Sequence, residues 1–544
     1  MKYADFVLKS SAVYDCIGSE PFSGCVAVGG NRILAVVHDI KELDCVGPDT
    51  KVIDYGDQMI MPGLVDAHVH YFMGGMFGSK YVCGDIVNSK SEAECVAMIK
   101  DFADKNPDLE RIIGSGWFPS YWNDAPLPNK RSIDAVIPDR PVYLLSADIH
   151  TIWCNSKALE EAGIRADMPI KSGKIGTFED GELDGMLYEP DAYQPAMNKV
   201  MELAVDKMKQ AHREFLRHIA ACGITTISEM TANDYNDTTI RNFRVIKEME
   251  QAGELTARLH LYTKLAGYTD FSKALEYKQE FNSPKLRMQG IKGFIDGVAS
   301  TFTALTLEPY SDRPDTCGIG VPLTPKESMQ RSVTAANAAG FQVRIHCIGD
   351  GAVRMALDLY EQSQKENKKS DYKNCVEHIE NINPADIKRF KELNVIPSMQ
   401  PMHLLLDADE QVSRMGPERV KYEWAFKSIL DAGGKLAFGT DYPVVDFNPF
   451  PTIYAAVTRN NLDGSPASQN PWECITLEQT LKAYTIDAAN TYDREGDLGT
   501  LEPGKLADII VIDKNMFELA PEDILKCSVT MTMFDGAIIY QKEA

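Results

Sequence analysis

Apolar and polar positions alternate with a period near two at both ends of the chain, and give way between them to repeated strand–helix text. Up to about Gln58 the runs "ADFVLKSSAVYDC", "GCVAVGGNRILAVV" and "KVIDYG" are short, rich in β-branched residues and separated by Gly and Asn turns. The last stretch, "ADIIVIDKN" and "CSVTMTMFDGAIIYQ", has the same texture. Such runs predict strands. The two ends, 1–58 and 490–544, are expected to pair into one small β-sandwich domain.

From "KMKQAHREFLRHIAACG" onward, helical periodicity and Gly stops alternate with β-branched runs. The candidate strands are "ITTISEM", "ARLHLYT", "QGIKGFID", "FQVRIHCIG", "NCVEHIE", "VIPSMQP" and "KLAFGTD". With "GLVDAHVH" before them they make eight, the number that closes a (β/α)8 barrel, here over 59–489. One segment breaks the rhythm: roughly 150 residues separate His70 from Ile224, where a short connection would do. It carries its own strand-like runs, "ERIIGSGWF" and "RPVYLLSADIHTIWCN", and hairpin-like text at "KSGKIGTFEDGELDG". The expected architecture is therefore α/β: a TIM-like barrel, a sandwich from both chain ends, and a large insertion, about 72–205, after the first barrel strand.

Composition narrows the classes of function. A chain of 544 residues is too long for one ordinary core. A net charge of -23 argues against nucleic acid, which is bound through Lys and Arg patches, and against anionic membrane surfaces. It reads as solubility. The start, "MKYADFVLKSSAVYDC", lacks the charged and apolar regions of a signal peptide, and no run is long enough for a membrane helix. Twelve scattered cysteines without a CxxC pair read as reduced thiols, so the expected location is cytoplasmic.

Chemistry concentrates at strand ends. His68 and His70 close "GLVDAHVH"; residues i and i+2 of a strand share a side, so both imidazoles can reach one metal. His346 and His378 end two further apolar runs 32 residues apart, as consecutive βα units would place them. Of 10 histidines in the chain, four fall at these positions. Asp441 follows the last strand and reads either as a ligand and proton acceptor or as a turn carboxylate. Lys292 lies inside an apolar run, where a charged amine is costly. It reads as a snorkelling Lys, as a partner of Asp296 on the same strand face, or as a neutral amine that adds carbon dioxide and becomes a carbamate between two metals. Glu229, ending "ITTISEM", is a competing carboxylate. Borderline divalent metals such as zinc favour imidazole and carboxylate ligands, and a metal held there turns bound water into hydroxide near neutral pH.

Together these residues resemble the amidohydrolase superfamily over nearly the whole chain. "GLVDAHVH", the strand-ending histidines, "GTDYPV" and the closing "AANTYDREGDLGTLEPGKLADIIVID" carry the likeness. Within it the chain is similar to amidohydrolase family 3, the YtcJ-like branch, through "GSGW", "DIHTIWCNSKAL", "IKGFIDGVASTFTALTLEPYSD", "HCIGDGAV", "VEHIE" and "SMQPMH". The resemblance implies a metal-dependent hydrolase of C–N bonds, of the amide or N-formyl kind, acting on a small molecule. It implies that His68, His70 and Asp441 bind one metal, that His346 and His378 bind a second, and that a carboxylated Lys292 bridges them, with one-metal members also known in the superfamily. It makes Trp117, His150, Asn155, Asp296 and His403 candidates for substrate contact. Glu229 stands where relatives often carry a different polar residue, which bears on pocket or bridge.

The implied chemistry is metal-assisted attack of water on a carbonyl carbon. His150 or His403 helps to polarise the carbonyl oxygen, and Asp441 carries the proton to the leaving amine. One rival is a deaminase of a heterocyclic amine on the same fold, disfavoured because "CIGD" after His346 supplies no nearby Glu. Another is a metal-free binding protein, since fold alone does not prove activity. A homodimer is the base-rate expectation for assembly.

Overall fold

The computed structural model describes residues 3–118, 122, 127–147, 151–170, 173–318, 325–467 and 470–543, without the side chains of 190, 191, 233 and 407–410. The chain divides into two compact units. The first comprises Met1–Tyr71, Leu216–Tyr235 and Lys247–Ala544; the second comprises Phe72–Phe215 and Asn236–Ile246.

The first unit holds eight barrel strands: β1 (Leu64–Val65), β2 (Ile224–Asn233), β3 (Arg258–Lys264), β4 (Leu286–Phe294), β5 (Gln342–Cys347), β6 (Cys375–His378), β7 (Ile396–Met399) and β8 (Ala437–Phe438). They pair in sequence order and all in parallel. Strands covered on both faces read as near-continuous apolar runs, which is why each stood out in the sequence. The ring closes where β8 meets β1. Ala67 N donates to Phe438 O (3.0 Å), Asp441 N to His68 O (2.7 Å) and His70 N to Tyr442 O (2.9 Å). Asp66 clasps the same seam: its carboxylate accepts from His68 N (3.1 Å), Thr440 N (3.0 Å) and Thr440 Oγ1 (2.7 Å). Gly439 belongs to this closure, since a Cβ there would stand 2.5 Å from His68 N.

The chain ends form one eight-stranded sheet. Its order is Ala537–Gln541, Val529–Phe534, Ile509–Ile512, Met59–Pro62, Phe6–Val13, Phe22–Gly29 and Arg32–Val37, with Lys51–Asp54 also paired to Phe6–Val13. The first and last parts of the chain join where Ile509–Ile512 runs antiparallel to Met59–Pro62. Period-two alternation sorts the side chains: Leu8, Val26 and Val28 share a core with Ile509, Val511 and Met531, whereas Val7, Cys25 and Ala27 pack into a separate cluster.

The second unit carries a six-stranded sheet in the order Lys174–Thr177, Leu183–Tyr188, Thr151–Cys154, Val142–Ser146, Ile112–Trp117 and Val82–Cys83. The text "RPVYLLSADIHTIWCN" yields two antiparallel strands of it, and the hairpin-like text yields the pair Lys174–Thr177 and Leu183–Tyr188. Two apolar clusters bury this sheet's side chains. Among the described residues, no helix is long and apolar enough to cross a membrane.

Candidate metal centre at the barrel mouth

Five strands deliver the six residues that the sequence singles out. His68 and His70 follow β1, Lys292 lies in β4, His346 in β5, His378 ends β6, and Asp441 follows β8. The fold brings all six together. Asp441 Oδ1 lies 2.9 Å from His70 Nε2 and 3.5 Å from His68 Nε2. Lys292 Nζ lies 3.4 Å from His68 Nε2. The His378 ring stands 4.8 Å from that of His68 and 4.4 Å from that of His346, centre to centre.

Two sets of three possible ligand atoms converge within 4.8 Å of one another: His68, His70 and Asp441, and His378, His403 and Asp441. His403 follows β7 and stacks on His378 at 5.9 Å, its Nε2 3.8 Å from Asp441 Oδ2. The resemblance gave His403 a substrate role; the geometry sets it among the possible ligands.

Backbone conformation aims two of these side chains. His378 and Asp441 have φ of 74° and 59°, in the left-handed region that costs a non-glycine residue about 1–3 kcal/mol. Each holds this conformation where its strand gives way to the mouth loop.

Electrostatics prepares the ring nitrogens for a cation. Burial, with Lys292 nearby, lowers His68 to about 4 and His346 to about 3, and burial also holds His378 well below the usual histidine value. These imidazoles are neutral at pH 7, the form that ligates. Burial acts to raise Asp441, but its surroundings, with His70 Nε2 in hydrogen-bond reach at 2.9 Å, hold the carboxylate well below its usual range. Burial lowers Lys292 to about 8, so about a tenth of its amine is uncharged at pH 7, far more than for an ordinary Lys. Neutral imidazoles, an ionised carboxylate and a partly neutral amine, gathered from five strand ends, fit a zinc-like divalent metal.

Outer partners hold the rings from behind. His68 Nδ1 donates to Glu377 Oε2 (2.6 Å), whose other oxygen accepts from Arg344 Nε (2.6 Å). His378 Nδ1 donates to Gln400 Oε1 (2.8 Å), and His346 Nε2 to Gly297 O (3.2 Å). Glu377, Arg344 and Gln400 were not singled out by the sequence reading. The available signal was charge inside an apolar run: "QVRIHC" and "CVEH" each bury one.

The remaining candidates fall into place differently. Asp296, expected to touch substrate or pair with Lys292, accepts from the backbone N–H groups of Leu305 (2.9 Å), Ile348 (3.0 Å) and Gly349 (2.9 Å), and so ties the loops after β4 and β5. Glu229 is fully buried beside the site; its Oε1 accepts from Thr231 N (2.9 Å), and its backbone bridges to His70. Trp117 lies in the core of the second unit, donating from Nε1 to Leu144 O (2.8 Å) and packing against Trp122 and Trp153. Asn155 is buried there too. Its amide donates to Ile137 O (3.0 Å) and Arg140 O (2.9 Å), and its oxygen accepts from Val142 N (3.0 Å) and Ala158 N (2.9 Å). His150 lies outside the described residues. Asn381 Nδ2 and Oδ1, Gln400 Nε2 and Glu423 Oε1 are buried without a hydrogen-bond partner among the described residues.

Comparisons with known proteins identify the family. The amidohydrolase family profile matches residues 51–540. Protein LONG AFTER FAR-RED 3 of Arabidopsis thaliana is 31% identical over 547 residues, covering 99% of this chain and 92% of its own. N-substituted formamide deformylase of Arthrobacter pascens is 23% identical and covers 95% of each chain. A crystal structure described as an uncharacterized metal-dependent hydrolase from Pyrococcus horikoshii superposes with a TM-score of 0.77 at 24% identity, covering 95% of this chain and 99% of the other. The chain belongs to the amidohydrolase family, hydrolytic enzymes that act on carbon–nitrogen bonds other than peptide bonds.

Proposed function

We propose that the protein uses one or two divalent metals, zinc by ligand preference, to hydrolyse the amide or N-formyl/N-acyl bond of a small polar molecule. The observation that carries this reading is Asp441, whose ionised carboxylate faces His68 and His70 on one side and His378 and His403 on the other. His68, His70 and Asp441 would hold one ion; His378 and His346, with His403 at hand, would hold the other. A carboxylated Lys292 would lie between them. The metal, when bound, supplies Lewis acidity toward a carbonyl and makes a nucleophile of water at neutral pH.

The chain supplies the rest. Asp441 accepts the proton of the attacking water and passes it to the leaving nitrogen. His403 Nε2 faces Asp441 and is placed to donate to the substrate's carbonyl oxygen where it is not itself a ligand. The name of the formamide deformylase supports the N-formyl class. None of the twelve cysteines is disulfide-bonded, which supports a reducing, cytoplasmic setting.

The test is a panel of N-formyl, N-acetyl and cyclic amides of small polar amines, with products read by mass spectrometry and ammonia measured separately. An acid and an amine in equal amounts support the reading. Ammonia in place of an amine would reassign the protein as a deaminase.

A further inference from the structure

Arg344, Glu377 and His68 form a buried chain of charge-assisted contacts behind the metal site, and none of the three is measurably exposed. Glu377 spends one oxygen on Arg344 Nε and the other on His68 Nδ1, each at 2.6 Å. Arg344 in turn donates from Nη2 to Ala67 O (2.9 Å), the residue before His68, and to Ser398 Oγ (3.1 Å). The triad thus ties β1, β5, β6 and β7 together beneath the mouth.

The hydrogen inventory of this chain is restrictive. A carboxylate paired with a guanidinium can only accept. The hydrogen between His68 and Glu377 therefore sits on Nδ1, and Nε2 keeps its lone pair, pointed toward Lys292 Nζ and Asp441 Oδ1 at 3.4 and 3.5 Å. The outer nitrogens of the other two rings hydrogen-bond to neutral oxygens, Gln400 Oε1 and Gly297 O, with carboxylates only at 3.9 Å (Asp441) and 3.8 Å (Asp296), so of the three rings only His68 hydrogen-bonds a carboxylate from behind.

We propose that Glu377, held by Arg344, is a positioning residue that fixes the tautomer and direction of His68 so that Nε2 is presented to the metal as a strengthened ligand. The proposal rests on the reading of this cluster as a metal centre. Outer partners of ligating histidines set ring orientation and basicity in this way. The rival is that Glu377 only neutralises Arg344.

Glu377→Gln separates the two. The guanidinium has only donors, so the amide oxygen must face Arg344 and the amide N–H₂ must face His68. That places the His68 hydrogen on Nε2, toward the metal. Adding Arg344→Met frees the oxygen to turn back to His68 and restore the tautomer. Zinc affinity is measured by competition with a chromogenic chelator, with circular dichroism of the metal-free proteins as the check on folding.

Glu377→Gln is expected to bind zinc about 10–100-fold more weakly than wild type, and the double variant to return most of that loss. Unchanged affinity in the single variant, or a double variant no tighter than the single, overturns the proposal while leaving the metal centre standing. A wild-type protein that binds no divalent ion overturns both readings. Should the single variant not fold, ¹⁵N-histidine spectra of metal-free wild type decide, with the His68 signals assigned by His68→Gln. A hydrogen on Nδ1 supports the proposal, and a hydrogen on Nε2 overturns it.

Discussion

Asp441 Oδ1 lies 2.9 Å from His70 Nε2, so the carboxylate that follows the last barrel strand meets the imidazole that follows the first. The contact spans the seam beside β8, a strand of only two residues, where Asp441 N also donates to His68 O. Asp441 is thus part of the closure of the barrel, and its position is set by backbone hydrogen bonds as well as by its side chain.

Asp441→Asn keeps the backbone donor and nearly the same volume but removes the proposed base and the proposed anionic ligand. Turnover is expected to fall by about 10²–10⁴-fold, the usual worth of a positioned acid–base group. The circular dichroism spectrum should stay unchanged. Near-normal turnover would remove Asp441 from the proton path.

Lys292 is buried and lowered to about 8, which makes its amine available to carbon dioxide. Protein equilibrated with ¹³C-bicarbonate and a divalent metal is expected to show a carbamate resonance by NMR, absent from Lys292→Met. The variant should also hold about one metal fewer per chain. Equal metal content and no carbamate signal in wild type would leave Lys292 as a buried amine hydrogen-bonded to its neighbours.

Asn155→Ala tests a residue that motif-like text pointed toward substrate. Its side chain makes four hydrogen bonds to backbone, including the cap of the helix Ser156–Ala162. The substitution is expected to lower stability by at least about 2 kcal/mol in denaturant unfolding, with KM nearly unchanged in the folded fraction. A raised KM at unaltered stability would restore the substrate role.

His212, in the second unit, is lowered to about 3 by burial. Above its unfolded pKa near 6.5, neither the folded nor the unfolded state binds the proton. Between that value and about 3 only the unfolded chain binds it, so stability is lost as pH falls. From pH 7 to pH 5 this one group accounts for about 2 kcal/mol. Between the two pH values wild type should lose about 2 kcal/mol more stability than His212→Gln. Equal losses would contradict the assignment.

The barrel was legible because parallel strands buried on both faces read as apolar runs, and each run from "GLVDAHVH" to "KLAFGTD" became a strand. The metal-site residues were legible because they interrupt those runs at their ends. The outer partners were not. Alternation assigns Glu377 and His378 to opposite faces, yet Glu377 reaches His68 inside the barrel and His378 reaches the same cluster. The left-handed backbone at His378 breaks the alternation, and nothing in "CVEHIE" announces it. His403 was given a substrate role by its family-like phrase, and no strand parity links it to Asp441; the turn after β7 brings the two together. Trp117 and Asn155 show the opposite case. Their phrases resemble the family's, but one indole N–H and one carboxamide are fully occupied by nearby backbone.

The most direct test of the account is the metal content of protein purified without added metal or chelator, measured by elemental analysis alongside His68→Ala and Asp441→Ala. The account predicts one to two zinc-like ions per wild-type chain and a clear loss in both variants. Wild-type protein with no divalent ion, and no activity gained when one is supplied, would contradict it.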